Sequence, residues 1–201
     1  MFNYKNLMNK FDPPIWIGNQ YENGGIFEKR IIIIGESTYW SGQQPNISMA
    51  TDHFADKPHS DKYRTKLVRM FLNKDNETRE EIAEFWHSVS FFNYFKTVLS
   101  GPYRSPTQEM LKQHQPLPDI LDALKPNLIL IVMLRMWDYF VSNPPCKIKM
   151  GPIIKGARRS QTYHFESKSG LHSALGYAVK HPTYASWSLE HVYTKEAIKL
   201  A

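Results

Sequence analysis

The stretch KRIIIIGESTYW, residues 29–40, decides the fold class. Four consecutive isoleucines run into Gly35, and an unbroken β-branched run of this kind is typical of a strand buried on both faces of a parallel sheet. A carboxylate, Glu36, follows the glycine directly. The stretch therefore predicts a buried strand with a polar end, at which Glu36 is either a functional acid or only a solvated or capping carboxylate.

Other apolar and helical patterns alternate along the rest of the chain. Three further strands are predicted: SVSFFN (88–93), NLILIVML (127–134) and ALGYAVKHP (174–182). Helices are predicted over 62–72, over 77–88 and over the C-terminal SLEHVYTKEAIKLA, with Ser188 as its cap. Alternation of strands with helices predicts an α/β fold, a three-layer α/β/α arrangement around a central, mainly parallel sheet.

Length and composition fit one globular domain over residues 1–201. The chain has 201 residues, 42% of them hydrophobic, and a net charge of +6 that permits an anionic partner without demanding one. A polar stretch over residues 41–62 predicts a long loop. Cys146 is the only cysteine, which excludes an intrachain disulfide and a cysteine-ligated zinc or iron–sulfur centre.

Nothing in the sequence predicts a membrane, metal or cofactor partner. The N-terminal segment lacks the apolar core of a signal peptide, and the longest strongly apolar run, Leu128–Leu134, is too short to cross a bilayer. The eight histidines lack the tight spacing of a metal motif. We therefore expect a cytoplasmic monomer with no metal and no cofactor.

Polar side chains stand at the ends of three predicted strands. Glu36 and Ser37 follow the first strand, Asn93 ends the second and His181 ends the last. Ligands of open α/β sheets bind beyond the carboxyl ends of the strands, so these side chains form a candidate site. The alternatives to a functional site are that His181, before Pro182, has only a structural role, and that Asn93 only hydrogen-bonds the backbone of its own turn.

Basic residues concentrate between Lys147 and Lys168, where six basic side chains stand against one acidic side chain. The glycines and the proline of KIKMGPIIKGARR predict a flexible segment suited to phosphate contacts. The candidate phosphate ligands there are Lys155, Arg158 and Arg159, to which Arg104 is added from the segment after Asn93. The alternative is a solvated surface run.

Four pieces in a fixed order resemble the uracil-DNA glycosylase superfamily. They are GESTY (35–39), FFNYF (91–95), SPTQEML (105–111) leading into the apolar strand, and HPTYASWSLEH (181–191). The nearest likeness is to a bacterial and phage group whose first motif reads G-E-S-H-Y. The resemblance implies the α/β/α fold of that superfamily, DNA with a modified base as the partner, and removal of the base as the activity. For a bacterial protein it also implies association with the nucleoid.

The resemblance also implies roles for the base-pocket residues. Asn93 matches the asparagine that reads the Watson–Crick edge of a flipped base. His181 matches the imidazole that hydrogen-bonds the pyrimidine O2 as the glycosidic bond breaks. Tyr39 occupies the place of the tyrosine that blocks a 5-methyl group, and Phe92 or Tyr94 would stack on the base.

Several positions depart from the superfamily pattern. Ser37 stands where one branch keeps its water-positioning aspartate, and Glu36 falls on the glutamine or glutamate before it. Thr183 replaces the serine of the late H-P-S motif and is a further candidate phosphate contact. Arg135 stands where a glycine is usual after the apolar strand.

Three functions are compatible with these residues. The first is a monofunctional DNA glycosylase, in which Glu36 serves the sugar cation or water and His181 serves the departing base. The second is a module that binds DNA or a modified base without cleaving it, because Ser37 replaces the aspartate. The third is a hydrolase of free nucleosides or nucleotides.

Overall fold

The structure is a computed structural model that describes residues 10–12, 14–37, 62–96, 107, 110–112 and 114–201. The strands of this part are β1 (Trp16–Ile17), β2 (Ile31–Gly35), β3 (Val89–Asn93), β4 (Leu128–Ile131), β5 (Ile148–Ile153), β6 (Gln161–Glu166) and β7 (Ser173–Ala178). Its α-helices are α1 (Lys62–Leu72), α2 (Arg79–Ser88), α3 (Leu117–Leu124), α4 (Leu134–Ser142) and α5 (Trp187–Leu200). The predicted α/β class is confirmed.

The described strands form one sheet in the order β1-β3-β2-β4-β7-β6-β5. The four central strands, β3, β2, β4 and β7, are parallel to one another. Strand β1 at one edge and the hairpin β5–β6 at the other edge pair antiparallel. The sheet is therefore mixed, and the predicted parallel arrangement holds for its centre.

The isoleucine run forms the middle of the sheet, as its sequence predicts. All four isoleucines of β2 are 0% exposed, and their side chains alternate between two core clusters. Ile32 and Ile34 pack in the cluster that holds the buried residues of α3 and α4. Ile31 and Ile33 pack in the cluster that holds those of α1 and α2 and Ala197 of α5. Helices thus cover both faces of the sheet, which gives three layers.

Strand and helix ends differ in detail from the predictions. Strand β4 ends at Ile131, because α4 already begins at Leu134. Strand β7 ends at Ala178 rather than near residue 182. The predicted cap Ser188 is wrong, since α5 begins at Trp187, and the N–H of Glu190 donates to the carbonyl of Ser186 at 3.1 Å.

The basic segment is not the flexible segment that its glycines predicted. It forms the antiparallel hairpin β5–β6, whose strands pair from Ile148 opposite Phe165 to Ile153 opposite Gln161. Gly151 allows this pairing, because a Cβ there would approach the hydroxyl of Thr162 to 2.6 Å. The glycine therefore serves close packing between two strands.

The predicted loop over residues 41–62 lies outside the described residues, apart from Lys62, where α1 begins. Within the described ranges, none of the helices combines the length and the apolar character that a membrane crossing requires.

Candidate active site

The four central parallel strands, in the order β3-β2-β4-β7, have their carboxyl ends on the same side of the sheet. Asn93 is the last residue of β3, Glu36 directly follows β2, and His181 comes shortly after β7. Strand β4 lies between β2 and β7, so the helix that follows it, α4, begins between Glu36 and His181. The first turn of α4 contains Arg135. We call this group of four side chains the strand-end site.

Gly35 lets the side chain of Asn93 lie across the end of β2. The two residues pair in register, and a Cβ on Gly35 would stand well under 3.0 Å from the amide oxygen of Asn93. Beyond the strands, the N–H of Tyr94 donates to the carbonyl of Gly35 at 2.8 Å, and that of Phe95 to the carbonyl of Glu36 at 3.0 Å. Asn93 is therefore fixed beside the exit of β2.

The carboxylate of Glu36 forms a two-point ion pair with Arg135. The Nε of Arg135 donates to one carboxylate oxygen at 2.7 Å, and an Nη donates to the other oxygen. The side chain of Glu36 is 1% exposed and that of Arg135 is 33% exposed. A guanidinium that bonds both oxygens fixes the position and the orientation of a carboxylate. Glu36 is thus a buried, oriented anion and not a solvated strand-end acid.

His181 precedes a short 3₁₀ turn, Pro182–Tyr184, that fixes its imidazole. The N–H of Thr183 donates to the Nδ1 of His181 at 3.3 Å. A neutral imidazole that accepts at Nδ1 carries its proton on Nε2, which makes Nε2 the donor. Two aromatic rings pack near this imidazole: the ring centroids of Tyr63 and Tyr184 lie 5.1 and 5.6 Å from that of His181.

Burial lowers the pKa of His181, because the charged imidazolium loses water. Two charges act on the same ring in opposite directions: Glu36 raises its pKa and Arg135 lowers it. Both groups of the ion pair are therefore near enough to influence His181. With its pKa below the ordinary 6.5, the imidazole is mostly neutral at pH 7.

Two helices support the turn that carries His181. Lys66 of α1 donates to the carbonyl of Thr183 at 3.0 Å. Glu190 of α5, which is 8% exposed, accepts a hydrogen bond from the backbone N–H of Lys180. Burial raises the pKa of Glu190, while this bond and the charges of Lys180 and Arg158 act in the opposite direction. The backbone on each side of His181 is thus bonded to a helix.

The turn between β5 and β6, residues 154–160, lies on the same side of the sheet as the strand-end site, next to the carboxyl ends of the parallel strands. This position follows from the pairing, because β6 runs antiparallel to β7 and begins where β7 ends. Lys155 and Arg158 are exposed there. Arg159 forms a two-point ion pair with Asp138 of α4, with both bonds at 2.7 Å. We call residues 154–160 the basic turn.

The basic turn is also bonded to α5, since the hydroxyl of Tyr193 donates to the carbonyl of Gly156 at 2.8 Å. The other end of the hairpin carries the remaining lysines of the stretch. Lys147 and Lys149 lie 3.5 and 3.9 Å from Glu166, which pairs with the first residue of β7. The basic stretch is therefore divided between the two ends of the hairpin. Only its middle part, the basic turn, lies on the side of the strand-end site.

Four further predicted site residues fall into two groups. Tyr39 and Arg104 lie outside the described residues. Ser37 is buried next to Glu36, and Thr183 is half-buried in the turn after His181. Their predicted roles stay predictions.

Phe92 is 3% exposed and belongs to the core cluster on the α3 and α4 side. Tyr94 is 1% exposed and stacks on His114, with ring centroids 4.9 Å apart and planes 7° apart. Burial raises the pKa of Tyr94 well above its ordinary value. Both rings thus have packing partners within the protein, and base stacking by Phe92 stays a prediction.

Sequence reasoning missed Tyr63, Lys66 and Glu190, and treated Arg135 only as a departure from a glycine. The signal for Arg135 was its place just after the apolar strand β4, which lies between the strands of Glu36 and His181. The other three come from helices, and strand-end reasoning does not reach helices. Among the described residues, no group of three or more histidine, cysteine, aspartate or glutamate side chains could hold a metal ion.

No protein-family model matches the chain, and no curated protein matches its sequence. The site holds a buried carboxylate that is paired with a guanidinium, and also an amide and a neutral imidazole. All of them stand at the carboxyl ends of the parallel strands, beside an exposed basic turn. Such a set can hold an uncharged heterocycle by hydrogen bonds and can respond to charge that develops on it.

Proposed function

We propose that the protein is a monofunctional DNA glycosylase of the kind found in the uracil-DNA glycosylase superfamily. It would flip a uracil-like or otherwise modified base out of the DNA and hydrolyse the bond between that base and deoxyribose. The observation that carries the proposal is that Glu36, Asn93 and His181 all stand at the carboxyl ends of the central parallel strands, on the same side as the basic turn.

The amide of Asn93 suits recognition of the base. An amide offers one acceptor and two donors, so it can accept from a ring N–H and donate to an adjacent carbonyl of a uracil-like base. Cytosine lacks that ring N–H and cannot satisfy the same pairing. Gly35 supports this role, because its missing side chain lets the amide of Asn93 lie against the backbone at the end of β2.

The imidazole of His181 suits the departing base. Cleavage of the bond leaves negative charge on the base, and a donor aimed at a base carbonyl stabilises that charge. The lowered pKa and the hydrogen bond at Nδ1 favour a neutral ring with its proton on Nε2. A neutral donor has the advantage that it is present throughout the neutral pH range.

The carboxylate of Glu36 suits the sugar. The transition state resembles an oxocarbenium ion, which an oriented carboxylate stabilises directly or through a water molecule. Its burial at the end of β2 keeps this carboxylate at the sheet edge where the base would enter. In this scheme the basic turn contacts phosphates through Lys155 and Arg158, whereas the charge of Arg159 is shared with Asp138.

A base-release assay tests the proposal. Duplexes that carry uracil, 5-hydroxymethyluracil or hypoxanthine are incubated with the protein and then treated with alkali, which cuts the strand at abasic sites. We expect cleavage on at least one duplex, and a loss of about 10²-fold or more for Asn93→Ala and for His181→Ala. His164→Ala is the matched control, since that histidine lies on β6 away from the strand ends. Folded protein without abasic product on any duplex would rule out the activity.

A binding module on the same fold is the second candidate, and the Glu36–Arg135 ion pair favours it. Arg135 compensates the charge of the carboxylate, which weakens its attraction for a sugar cation. Tight binding of a modified duplex that survives Glu36→Gln and His181→Ala, without turnover, would establish this function. Turnover of free nucleosides with little dependence on salt would instead indicate a small-substrate hydrolase.

A further inference from the structure

Arg135 occupies the central position of the strand-end site. It stands on the helix that follows β4, and β4 lies between the strand of Glu36 and the strand of His181. Its guanidinium bonds both oxygens of Glu36, and its charge acts on His181. A side chain with these contacts influences both groups that the proposed reaction uses.

We propose that Arg135 is a positioning residue for Glu36: it fixes the buried carboxylate in the orientation that the reaction needs, and it acts on catalysis through that carboxylate. The role rests on the proposed glycosylase function, and it goes beyond it by assigning the residue that no motif covers. Without Arg135, the carboxylate of Glu36 would lose the two bonds that this guanidinium donates. A buried charge that loses its partner moves toward water or toward another donor.

Lysine cannot fully replace this arginine. The Nε and Nη of a guanidinium match the two oxygens of a carboxylate in one plane, whereas an ammonium group is a single point of charge. We therefore expect Arg135→Lys to retain part of the turnover, and Arg135→Met to lose it to the same extent as Glu36→Gln. If Arg135 acts through Glu36, the double variant loses no more than Glu36→Gln alone.

The turnover experiment compares these four variants on the duplex that the wild type cleaves best. We expect a loss of about 10²- to 10³-fold for Glu36→Gln, a loss within tenfold of that for Arg135→Met, and about a tenfold loss for Arg135→Lys. Added guanidinium salt should restore part of the rate of an Arg135→Ala variant, which a purely structural role would not predict. Losses that multiply in the double variant would overturn the proposal, because Arg135 would then act independently of Glu36.

A second measurement does not depend on turnover. NMR titration of the His181 imidazole should show a higher pKa in Arg135→Met, which removes a positive charge, and a lower pKa in Glu36→Gln, which removes a negative charge. Among the described residues, the aromatic rings of Tyr63 and Tyr184 and the backbone N–H of Thr183 also face this ring. None of them changes in these variants.

Arg69→Met is the matched control. Arg69 donates to Glu77 at 2.8 Å, and their side chains are 28% and 2% exposed, close to the values of the Arg135–Glu36 pair. This control should lose comparable stability and leave both turnover and the titration of His181 unchanged.

The outcomes separate the two proposals. In one outcome, the wild type cleaves none of the duplexes while the pKa of His181 shifts as expected in the two variants. This result would refute the glycosylase function and the role of Arg135 in it, and would establish the contact of Arg135 with Glu36. Wild-type cleavage with full turnover by Arg135→Met would refute the positioning role alone. If the pKa of His181 is unchanged in both variants, the Glu36–Arg135 ion pair does not act on His181, and that part of the proposal is refuted.

Discussion

Replacing Gly35 by alanine perturbs the strand-end site through one methyl group. The added Cβ would stand well under 3.0 Å from the amide oxygen of Asn93, a separation that real Cβ atoms essentially never show. The amide has to move by about 1 Å to regain ordinary contact, and overpacking of this kind costs about 1–3 kcal/mol. For a chain of this length, that cost lowers the melting temperature by about 2–12 °C.

The displaced amide should also reduce activity. A misplacement of about 1 Å in a site can cost roughly 10²-fold in rate, so base release by Gly35→Ala should fall by about that factor. Thermal unfolding followed by circular dichroism gives the stability, and the alkali assay gives the rate. Gly176→Ala is the control, because its Cβ would collide with the ring of Phe165 in the hairpin region and not with a side chain of the site.

The double variant Gly35→Ala with Asn93→Ala tests whether the amide of Asn93 causes this loss of stability. Removing the amide leaves nothing under 3.4 Å from the new Cβ among its three nearest neighbours, so alanine at position 35 should then cost far less stability than it does alone. An equal loss of melting temperature with and without the amide would show that the cost arises elsewhere. A Gly35→Ala protein of wild-type stability and rate would contradict the placement of Asn93 over β2.

Three further predictions follow from charges and burial. Because burial lowers the pKa of His181 below 6.5, the unfolded state binds the proton first as pH falls, so the free energy of unfolding should decrease just below pH 6.5, and His181→Asn should remove this slope in urea titrations. Because burial raises the pKa of Glu190 above 4.5, the folded state keeps that proton longer, so its contribution to stability is lost as pH rises from 4.5 through the folded pKa; Glu190→Gln should abolish this loss in the same titrations, and unchanged pH curves would contradict the burial argument. Lys155→Ala and Arg158→Ala should each weaken DNA binding and reduce the salt slope measured by fluorescence anisotropy by about 1, whereas Lys149→Ala should leave that slope unchanged; equal effects of all three would contradict the division of the basic stretch.

Much of the centre of the fold could be predicted from the sequence, because continuous apolar runs carry a strong signal. The isoleucines of β2 and the run Leu128–Ile131 are buried on both faces, and helical patterns lie between the strands. The hairpin β5–β6 was not predicted, because it lies at an edge. The side chains of β5 follow no regular alternation of buried and exposed positions, so neither a period of two nor a continuous apolar run is present.

The candidate site could be predicted where it depends on strand ends. Glu36, Asn93 and His181 each stand at the carboxyl end of a parallel strand, and parallel strands bring such ends to one edge. The ion pair with Arg135 and the support from Lys66 and Glu190 could not be found in that way. These contacts depend on how helices rotate and pack on the sheet, and they join residues far apart in the chain.

The outer edge of β5 has a consequence for association between copies of the chain. Met150 and Ile153 are 73% and 60% exposed on this edge strand, and exposed apolar edges attract further strands. Pro152 offers no N–H for such pairing, Lys149 adds charge, and the register shifts between Met150 and Ile153. Strand β1, at the opposite edge, has only two residues. Replacing Pro152 with a β-branched residue would remove one of these three protections, and should increase association between copies through this edge.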